Sequence, residues 1–219
     1  MEEDRRIRRE FLILLALYLL PAIYTSADAV DPELFSDPLA HLGLLIQNVP
    51  RILLLLYVME LDGGNWSRRF GLPLEMKKLP LRSLGVAAVL LAVAVASSVV
   101  GTAAGVSGAA PFSFEDPPTV AYLLSALSLL SVGYMEELFF RSYTIVRLEQ
   151  LGLSRWTAVA ASALLFSLGH AYQGVQGLFF SFFAGVALGA LFSRNRRVHP
   201  LALGHGVYNY LGLLFSGLS

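Results

Sequence analysis

Two adjacent glutamates and an arginine stand where a long apolar stretch ends. Glu136 and Glu137 directly follow the apolar run Thr119–Met135, and Arg141 comes one helical turn later. Charged side chains within a membrane-length segment are costly, and they usually mark a functional site. A poorly hydrated carboxylate readily takes up a proton, which suits it to act as a general base. This cluster therefore predicts acid–base chemistry inside a membrane.

The two carboxylates are expected to have different roles. Glu137 and Arg141 are four residues apart, in the order that favours an ion pair on one helix face. Glu136 lies about 100° away around the helix and faces elsewhere. We therefore predict that Glu136 is the base and that Glu137 is a structural carboxylate held by Arg141.

Downstream residues supply the other groups that such a reaction needs. His205 and Asn209 are four residues apart, which places an imidazole and an amide on one helix face. Two fixed donors in a dry site suit a developing oxyanion, and an amide cannot itself titrate. His170 can share the water that Glu136 deprotonates, and Phe166, one turn earlier, is expected to pack beneath its ring.

The composition indicates that these residues belong to a membrane protein. The chain has 219 residues, of which 56% are hydrophobic and only 15% charged, whereas soluble domains are closer to one-quarter charged. The zero net charge argues against nucleic-acid binding. The absence of cysteine excludes disulfides, thiolate metal sites and a cysteine nucleophile.

The hydropathy pattern predicts seven membrane-spanning helices in a single all-α, polytopic membrane-embedded domain covering residues 1–219. Basic residues occur before the first segment and in alternate connections, which places the amino terminus in the cytoplasm and the carboxyl terminus outside. Residues 1–110 receive no assigned role, and residues 119–214 carry the candidate catalytic residues. We expect a multi-pass protein of a prokaryotic cytoplasmic membrane. The predicted segments are Phe11–Ala27, Leu39–Leu61, Ser83–Val106, Thr119–Val146, Trp156–Tyr172, Leu178–Phe192 and Leu201–Leu214.

A helical hairpin is predicted to bring the candidate residues together. Gly152 is suited to end one helix and Ser154 to cap the next, so the chain turns near Leu153. Glu136 lies seventeen residues before Leu153 and His170 lies seventeen residues after it. Both are then about 25 Å from the turn, so antiparallel packing brings them to one level.

His205 reaches the same level only if the tip of this hairpin projects into the cytoplasm, because it lies only five residues after Pro200. The site would then lie in the cytoplasmic half of the bilayer. The residues expected at that projecting, polar tip are Arg147, Glu149, Gln150 and Arg155.

These motifs resemble those of the CAAX protease and bacteriocin-processing family, also called the Abi family, which includes the type II CAAX prenyl endopeptidases. The likeness rests on Glu136-Glu137-xxx-Arg141, Phe166-xxx-His170 and His205-xxx-Asn209, in that order on successive segments. It covers about residues 119–212. The resemblance implies an intramembrane endopeptidase in which Glu136 and His170 activate water, and His205 and Asn209 stabilise the oxyanion. Glu137 and Arg141 would organise the site.

The resemblance also defines the expected partners. Its members act on prenylated carboxyl termini, peptide precursors or sorting signals of membrane proteins, so we expect a membrane-associated peptide or protein substrate within a lipid bilayer. No nucleic-acid partner is expected. No cofactor is required if Glu136 is the base.

Three other functions use the same or nearby residues. Glu136, His170 and His205 are a possible zinc ligand set, although the chain has no His-Glu-x-x-His motif. The run Gly105–Gly108 resembles the Gly-x-Ser-Gly motif of rhomboid serine proteases, with Ser107 as nucleophile. A membrane immunity or binding protein, or a proton-coupled carrier, is the non-catalytic alternative.

Two features near the amino terminus have open interpretations. Ala27-Asp28-Ala29 follows a basic and then an apolar stretch, as at a signal-peptide cleavage site, although we expect an uncleaved first span. Arg51 lies within a predicted span, where we expect it to pair with a carboxylate or with backbone carbonyls of another helix.

Overall fold

The regular elements of the fold are all helical. The computed structural model describes residues 2–23, 35–106, 114 and 117–216, and it contains no strand within those ranges. The all-α prediction is therefore confirmed. The α-helices are α1 (Glu2–Ile23), α2 (Pro38–Glu60), α3 (Trp66–Arg69), α4 (Leu79–Ala103), α5 (Thr119–Glu136), α6 (Val146–Gln150), α7 (Arg155–Leu168), α8 (Gly174–Asn195) and α9 (Val198–Ser216). A π-helix, Glu137–Ile145, joins α5 to α6, and short 3-10 helices form Met76–Lys78 and Ala171–Gln173.

Four of the predicted segments are long and apolar enough to cross a membrane. These are α2, the Met76–Ala103 segment that ends with α4, the continuous Thr119–Gln150 segment, and the Ala171–Asn195 segment that contains α8. Together with the family described below, they make this an integral membrane protein. The span count of seven and the orientation of the termini remain predictions.

The other three predicted segments also form helices, but each is too short or too polar to count among the four candidate membrane spans. The last eighteen residues of α1 still include four charged side chains, from Arg6 to Glu10. Helix α7 has only 14 residues. Helix α9 carries polar residues such as His205 and Asn209, which lower its mean hydropathy.

The helix bearing the glutamates is not a regular α-helix, which corrects the prediction for Thr119–Val146. Its i→i+5 hydrogen bonding begins at Glu137, and every residue of the π-helix is buried. Ser162 Oγ of α7 donates a hydrogen bond of 2.6 Å to the Phe140 carbonyl oxygen. Because membrane interiors leave few other donors, this bond helps to satisfy backbone that has left the α-helical pattern. π segments often occur at functional sites.

The predicted hairpin turn is confirmed. Gly152 has a φ of 93°, and the Gly152 and Leu153 amides donate to the carbonyls of Glu149 and Leu148, as in a Schellman helix end. The Ser154 hydroxyl caps α7 by accepting from the Thr157 amide. The turn therefore sets α7 antiparallel to the helix that carries Glu136.

Helices α5 and α9 approach closely at two glycines beside the site. A Cβ on Gly133 would lie 2.6 Å from the Ala202 carbonyl oxygen, and one on Gly206 would lie 2.9 Å from Leu130 Cα. Only hydrogen fits at these positions, so the two backbones can meet. Gly206 is next to His205, and Gly133 lies one turn before Glu137.

The polar hairpin tip differs from the prediction at Arg147, which is completely buried. Its guanidinium lies 2.7 Å from Glu10 Oε1 and 2.7 Å from Asp62 Oδ1, and it donates to Gln150 Oε1. We call these four residues the Arg147 cluster. It is an ionic contact between helices rather than a solvated tip.

Arg51 was expected to pair with a carboxylate or with backbone carbonyls of another helix, but its side chain contacts an aromatic ring instead. Its guanidinium lies 6.0 Å from the ring centroid of Tyr18, and the Tyr18 hydroxyl donates to the Arg51 carbonyl oxygen. Arg51 therefore contacts an aromatic ring of α1, and within the described ranges it forms no ion pair with a carboxylate. Two other expectations, the signal-cleavage site Ala27–Ala29 and the nucleophile Ser107, fall on residues outside the described ranges.

Candidate active site

Glu136, His170 and His205 meet at one point, from three different parts of the chain. His170 Nε2 lies 3.9 Å from Glu136 Oε1, and His205 Nε2 lies 3.6 Å from Glu136 Oε2. The prediction that Glu136 and His170 lie at one level is therefore confirmed. Each oxygen of one carboxylate faces an imidazole nitrogen.

The Glu136 carboxylate is accessible, whereas its neighbour is not. The Glu136 side chain is 14% exposed and the His170 side chain 17% exposed. The Glu137 side chain is 0% exposed. Glu136 and His170 are therefore partly open to the surface, whereas Glu137 is fully enclosed.

The other nitrogen of each imidazole is held by a fixed acceptor. His170 Nδ1 lies 2.8 Å from the Phe166 carbonyl oxygen, and His205 Nδ1 lies 2.9 Å from Glu137 Oε1. Carbonyl and carboxylate oxygens only accept, so each Nδ1 carries the donated hydrogen. In a neutral imidazole this leaves the Nε2 lone pair facing Glu136.

Glu137 has two partners rather than the single one predicted. Arg141 Nη1 lies 3.2 Å from Glu137 Oε1, which confirms the expected ion pair. The same oxygen accepts from His205 Nδ1, a contact that the sequence reading missed. Glu137 therefore fixes the ring of His205, in the way that a carboxylate commonly orients a functional histidine.

Phe166 contacts both the arginine and the histidines. The Arg141 guanidinium carbon lies 4.2 Å from the Phe166 ring centroid, and the His170 ring centroid lies 4.5 Å from it. The His205 ring is 6.2 Å away, at a near-perpendicular angle. Arg141 is 1% exposed, and the Phe166 ring face provides an electrostatic partner for its buried charge.

No hydrogen bond ties the Asn209 side chain to the other described site residues. Asn209 lies one turn after His205 on α9 and is partly exposed, and its side chain makes no hydrogen bond to the part of the chain that the structure describes. Its helical position puts it on the face of His205. Its place as an oxyanion donor remains a prediction.

The two remaining histidines have partners that the sequence did not reveal. His41 is fully buried, with Nδ1 2.8 Å from Ser128 Oγ and Nε2 2.7 Å from the Phe35 carbonyl oxygen. His199 belongs to the first turn of α9, and its Nε2 lies 2.7 Å from the Leu72 carbonyl oxygen. Both hold structural elements together.

Tyr172 is a further residue beside the site. Its ring is stacked near His170, with centroids 6.3 Å apart, and its hydroxyl accepts a hydrogen bond from the Gln173 side chain. The sequence signal was its place two residues after His170.

Glu136, His170 and His205 would also be the ligands if the site held a metal. No group of three or more His, Cys, Asp or Glu side chains within the described ranges is arranged as a metal site. The donor types, two imidazole Nε2 atoms and one carboxylate, nevertheless suit zinc. The zinc alternative therefore remains a prediction that chelation tests.

The comparison with protein families covers the part of the chain that holds this site. Residues 118–211 match the family model described as Rce1-like, type II CAAX prenyl endopeptidase. We call this stretch, which is similar to the CAAX protease family, the CAAX protease region. All seven site residues, from Glu136 to Asn209, lie within it. The similarity indicates a membrane protease.

Neither a curated protein nor a solved structure matches the chain. The helices α1 to α4 lie outside the CAAX protease region, yet α1 and the turn after α2 contribute Glu10 and Asp62 to the Arg147 cluster.

Proposed function

We propose that this protein is a glutamate-dependent intramembrane endopeptidase of the CAAX type. The observation that carries the proposal is the convergence of His170 and His205 on the two oxygens of the accessible Glu136 carboxylate. The separation of 3.9 Å between His170 and Glu136 is too long for a direct hydrogen bond and suits a bridging water. A water held between a carboxylate and an imidazole is a suitable nucleophile for a peptide carbonyl.

The first step is the attack of this water on the scissile carbonyl carbon. Glu136 takes one proton from the water while the new C–O bond forms, and the carbonyl oxygen becomes an oxyanion. His205 and Asn209 donate to that oxyanion, and this role requires His205 to carry hydrogen on both ring nitrogens. The Glu137 carboxylate at Nδ1 compensates the resulting positive charge.

The second step is the collapse of the tetrahedral intermediate. Glu136 returns its proton to the amine nitrogen as the C–N bond breaks, so the carboxylate is regenerated. One carboxylate therefore serves as base and then as acid. No metal is needed in this scheme.

The substrate class follows from the family. A prenylated CAAX-type carboxyl terminus is the first candidate, and a peptide precursor or a carboxyl-terminal sorting signal of a membrane protein is the alternative. Cleavage near the cytoplasmic face of a prokaryotic membrane is part of the same proposal. All of these substrates reach the site from the bilayer.

The test is cleavage of a fluorescent farnesylated CAAX peptide by the purified protein in liposomes. Glu136→Gln is expected to lower the rate at least about 100-fold, because general bases typically contribute that much. Glu60→Gln is the matched control, since Glu60 is exposed at the end of α2 and away from the site. Wild-type cleavage that Glu136→Gln leaves intact would overturn the proposal.

Two additional arms separate the alternatives. Zinc-dependent hydrolysis predicts that 1,10-phenanthroline abolishes cleavage and that added zinc restores it, whereas the glutamate mechanism predicts no effect. If the farnesylated peptide is not cleaved, the termini of membrane proteins from wild-type and Glu136→Gln cells are compared. Identical termini would remove the protease function and leave a carrier, whose pH-dependent uptake should be lost in Glu136→Gln.

A further inference from the structure

Helix α1 packs along the π-helix, which follows Glu136 and carries Glu137 and Arg141, although α1 lies outside the CAAX protease region. The rings of Tyr18 and Phe139 are stacked, with centroids 4.4 Å apart and an interplanar angle of 9°. Phe11 stacks on Tyr143, with centroids 6.3 Å apart. These contacts connect two positions of α1 with two positions of the π-helix, one turn apart.

One end of α1 is anchored by the Arg147 cluster. Glu10 Oε1 accepts hydrogen bonds from the Tyr143 hydroxyl and from Arg147 Nη2, each 2.7 Å long. Arg147 is inaccessible to water, so losing one of its carboxylates would leave buried positive charge uncompensated. The cluster therefore fixes the register of α1 against the π-helix.

The other end of α1 lies against the turn that carries His170. Leu19 is buried, and a Cβ on Gly169 would lie 3.6 Å from Leu19 Cδ1 and 3.9 Å from Ala22 Cβ. Helix α7 ends at Leu168, and His170 has non-helical φ and ψ angles of −109° and 14°. His170 therefore lies beyond the regular helix, joined to α7 by hydrogen bonds to the Phe166 and Ser167 carbonyls, and packing by α1 adds support from one side.

We propose that α1 is a positioning element of the active site, which holds the His170 turn through Leu19 and is itself fixed by Glu10 at the Arg147 cluster. The role of His170 in this inference rests on the proposed function. About nine residues, or roughly 14 Å of helix, separate Glu10 from Leu19. A rigid helix transmits a fixed register over that distance.

The first test observes His170 directly and needs no substrate. The chain has four histidines, so the imidazole NMR signals of the detergent-solubilised protein can be assigned by substituting each one. Leu19→Ala and Glu10→Gln are both expected to shift the His170 signal and to leave the His41 signal in place. Leu20→Ala and Glu60→Gln are the matched controls, because both residues are exposed. An unmoved His170 signal in Leu19→Ala would overturn the proposal.

The second test measures catalysis per folded molecule with the farnesylated CAAX peptide. Leu19→Ala is expected to lower kcat about tenfold or more at nearly constant KM, because small misplacements of a catalytic group are costly. A purely structural role would lower the folded fraction and leave kcat unchanged, which would contradict the inference. Failure of the proposed function is distinguishable, because Glu136→Gln would then also be active.

A cross-link distinguishes a fixed support from a moving lid. The chain has no cysteine, and the Ala22–Gly169 Cβ separation of 3.9 Å suits a disulfide in Ala22→Cys/Gly169→Cys. The oxidised protein is expected to cleave the peptide about as fast as the same variant after reduction. Activity that appears only after reduction would show that α1 must move, and would overturn the positioning role.

Discussion

Glu136 and Glu137 are adjacent in sequence but occupy different environments. The Glu136 side chain is partly exposed, and its carboxylate makes no hydrogen bond within the part of the chain that the structure describes. The Glu137 side chain is buried between Arg141 and His205. In the proposed mechanism, the first carboxylate exchanges a proton with the attacking water. The second carboxylate already contacts the Arg141 guanidinium and the His205 imidazole.

This difference predicts separable effects for two matched substitutions. Glu136→Gln should abolish cleavage while leaving thermal stability nearly unchanged. Glu137→Gln should mainly destabilise the protein, by about 3–5 kcal/mol, because the buried Arg141 charge loses its carboxylate. The measurements are thermal unfolding in detergent and the cleavage rate per folded molecule. Equal loss of rate in two equally stable variants would mean that the roles of the two glutamates are not separate.

Counting along the chain was enough to predict that Glu136 and His170 meet, because helix rise is constant and a turn is marked by Gly152 and Ser154. The bond from His205 to Glu137 could not be predicted in this way. It depends on how closely α9 approaches α5, and no local pattern encodes that distance.

At the scale of the elements, the hydropathy pattern located a helix in each predicted segment but not the internal geometry of those helices. Periodicity distinguishes helix from strand, yet the patterns of an α-helix and of a short π-helix differ too little over nine residues. The π-helix is stabilised by tertiary contacts such as the bond from Ser162 to Phe140. Its formation therefore depends on contacts with α7, which the sequence of the π-helix alone does not encode.

The contact between α5 and α9 gives a prediction at the same scale. Gly133→Ala should destabilise the protein by about 1–3 kcal/mol, because its methyl group would overlap the Ala202 carbonyl oxygen. The forced separation should also lengthen the bond from His205 to Glu137 and lower the cleavage rate. Thermal unfolding and rate measurements check both effects.

Gly212→Ala is the control on α9, where a Cβ would have no neighbour within 4 Å. It should retain wild-type stability and rate. Similar losses in the two variants would show that the close approach does not decide the effect, because alanine favours a helix more than glycine does.

At the scale of the whole molecule, the Arg147 cluster joins α1, the end of α2 and the catalytic helix. Burial raises the pKa of Asp62, but hydrogen bonds from Arg147, Gln150 and Arg69 and the charge of Arg147 outweigh it, so the pKa lies below its usual value of 3.8. Because the folded-state pKa is the lower one, the stabilisation is present above about pH 4 and is lost as the pH falls through the folded-state pKa.

Asp62→Asn tests this linkage. The variant should be less stable than wild type at pH 7, and the difference should shrink below pH 4, where the wild-type carboxylate becomes protonated. Chemical unfolding across pH 3 to 7 measures the difference. A difference that is independent of pH would remove Asp62 from the ionic role.

The π-helix also has a consequence for the geometry of the whole chain. Its i→i+5 pattern turns less per residue than an α-helix, so it sets an angular offset between the two ends of one membrane-length helix. Glu136, just before the π-helix, faces the two imidazoles, and Arg147, just after it, contacts Glu10 of α1. Deleting a single residue within 138–145 would change that offset and rotate one end against the other. We therefore expect this nine-residue stretch to tolerate insertions and deletions less well than the loops do.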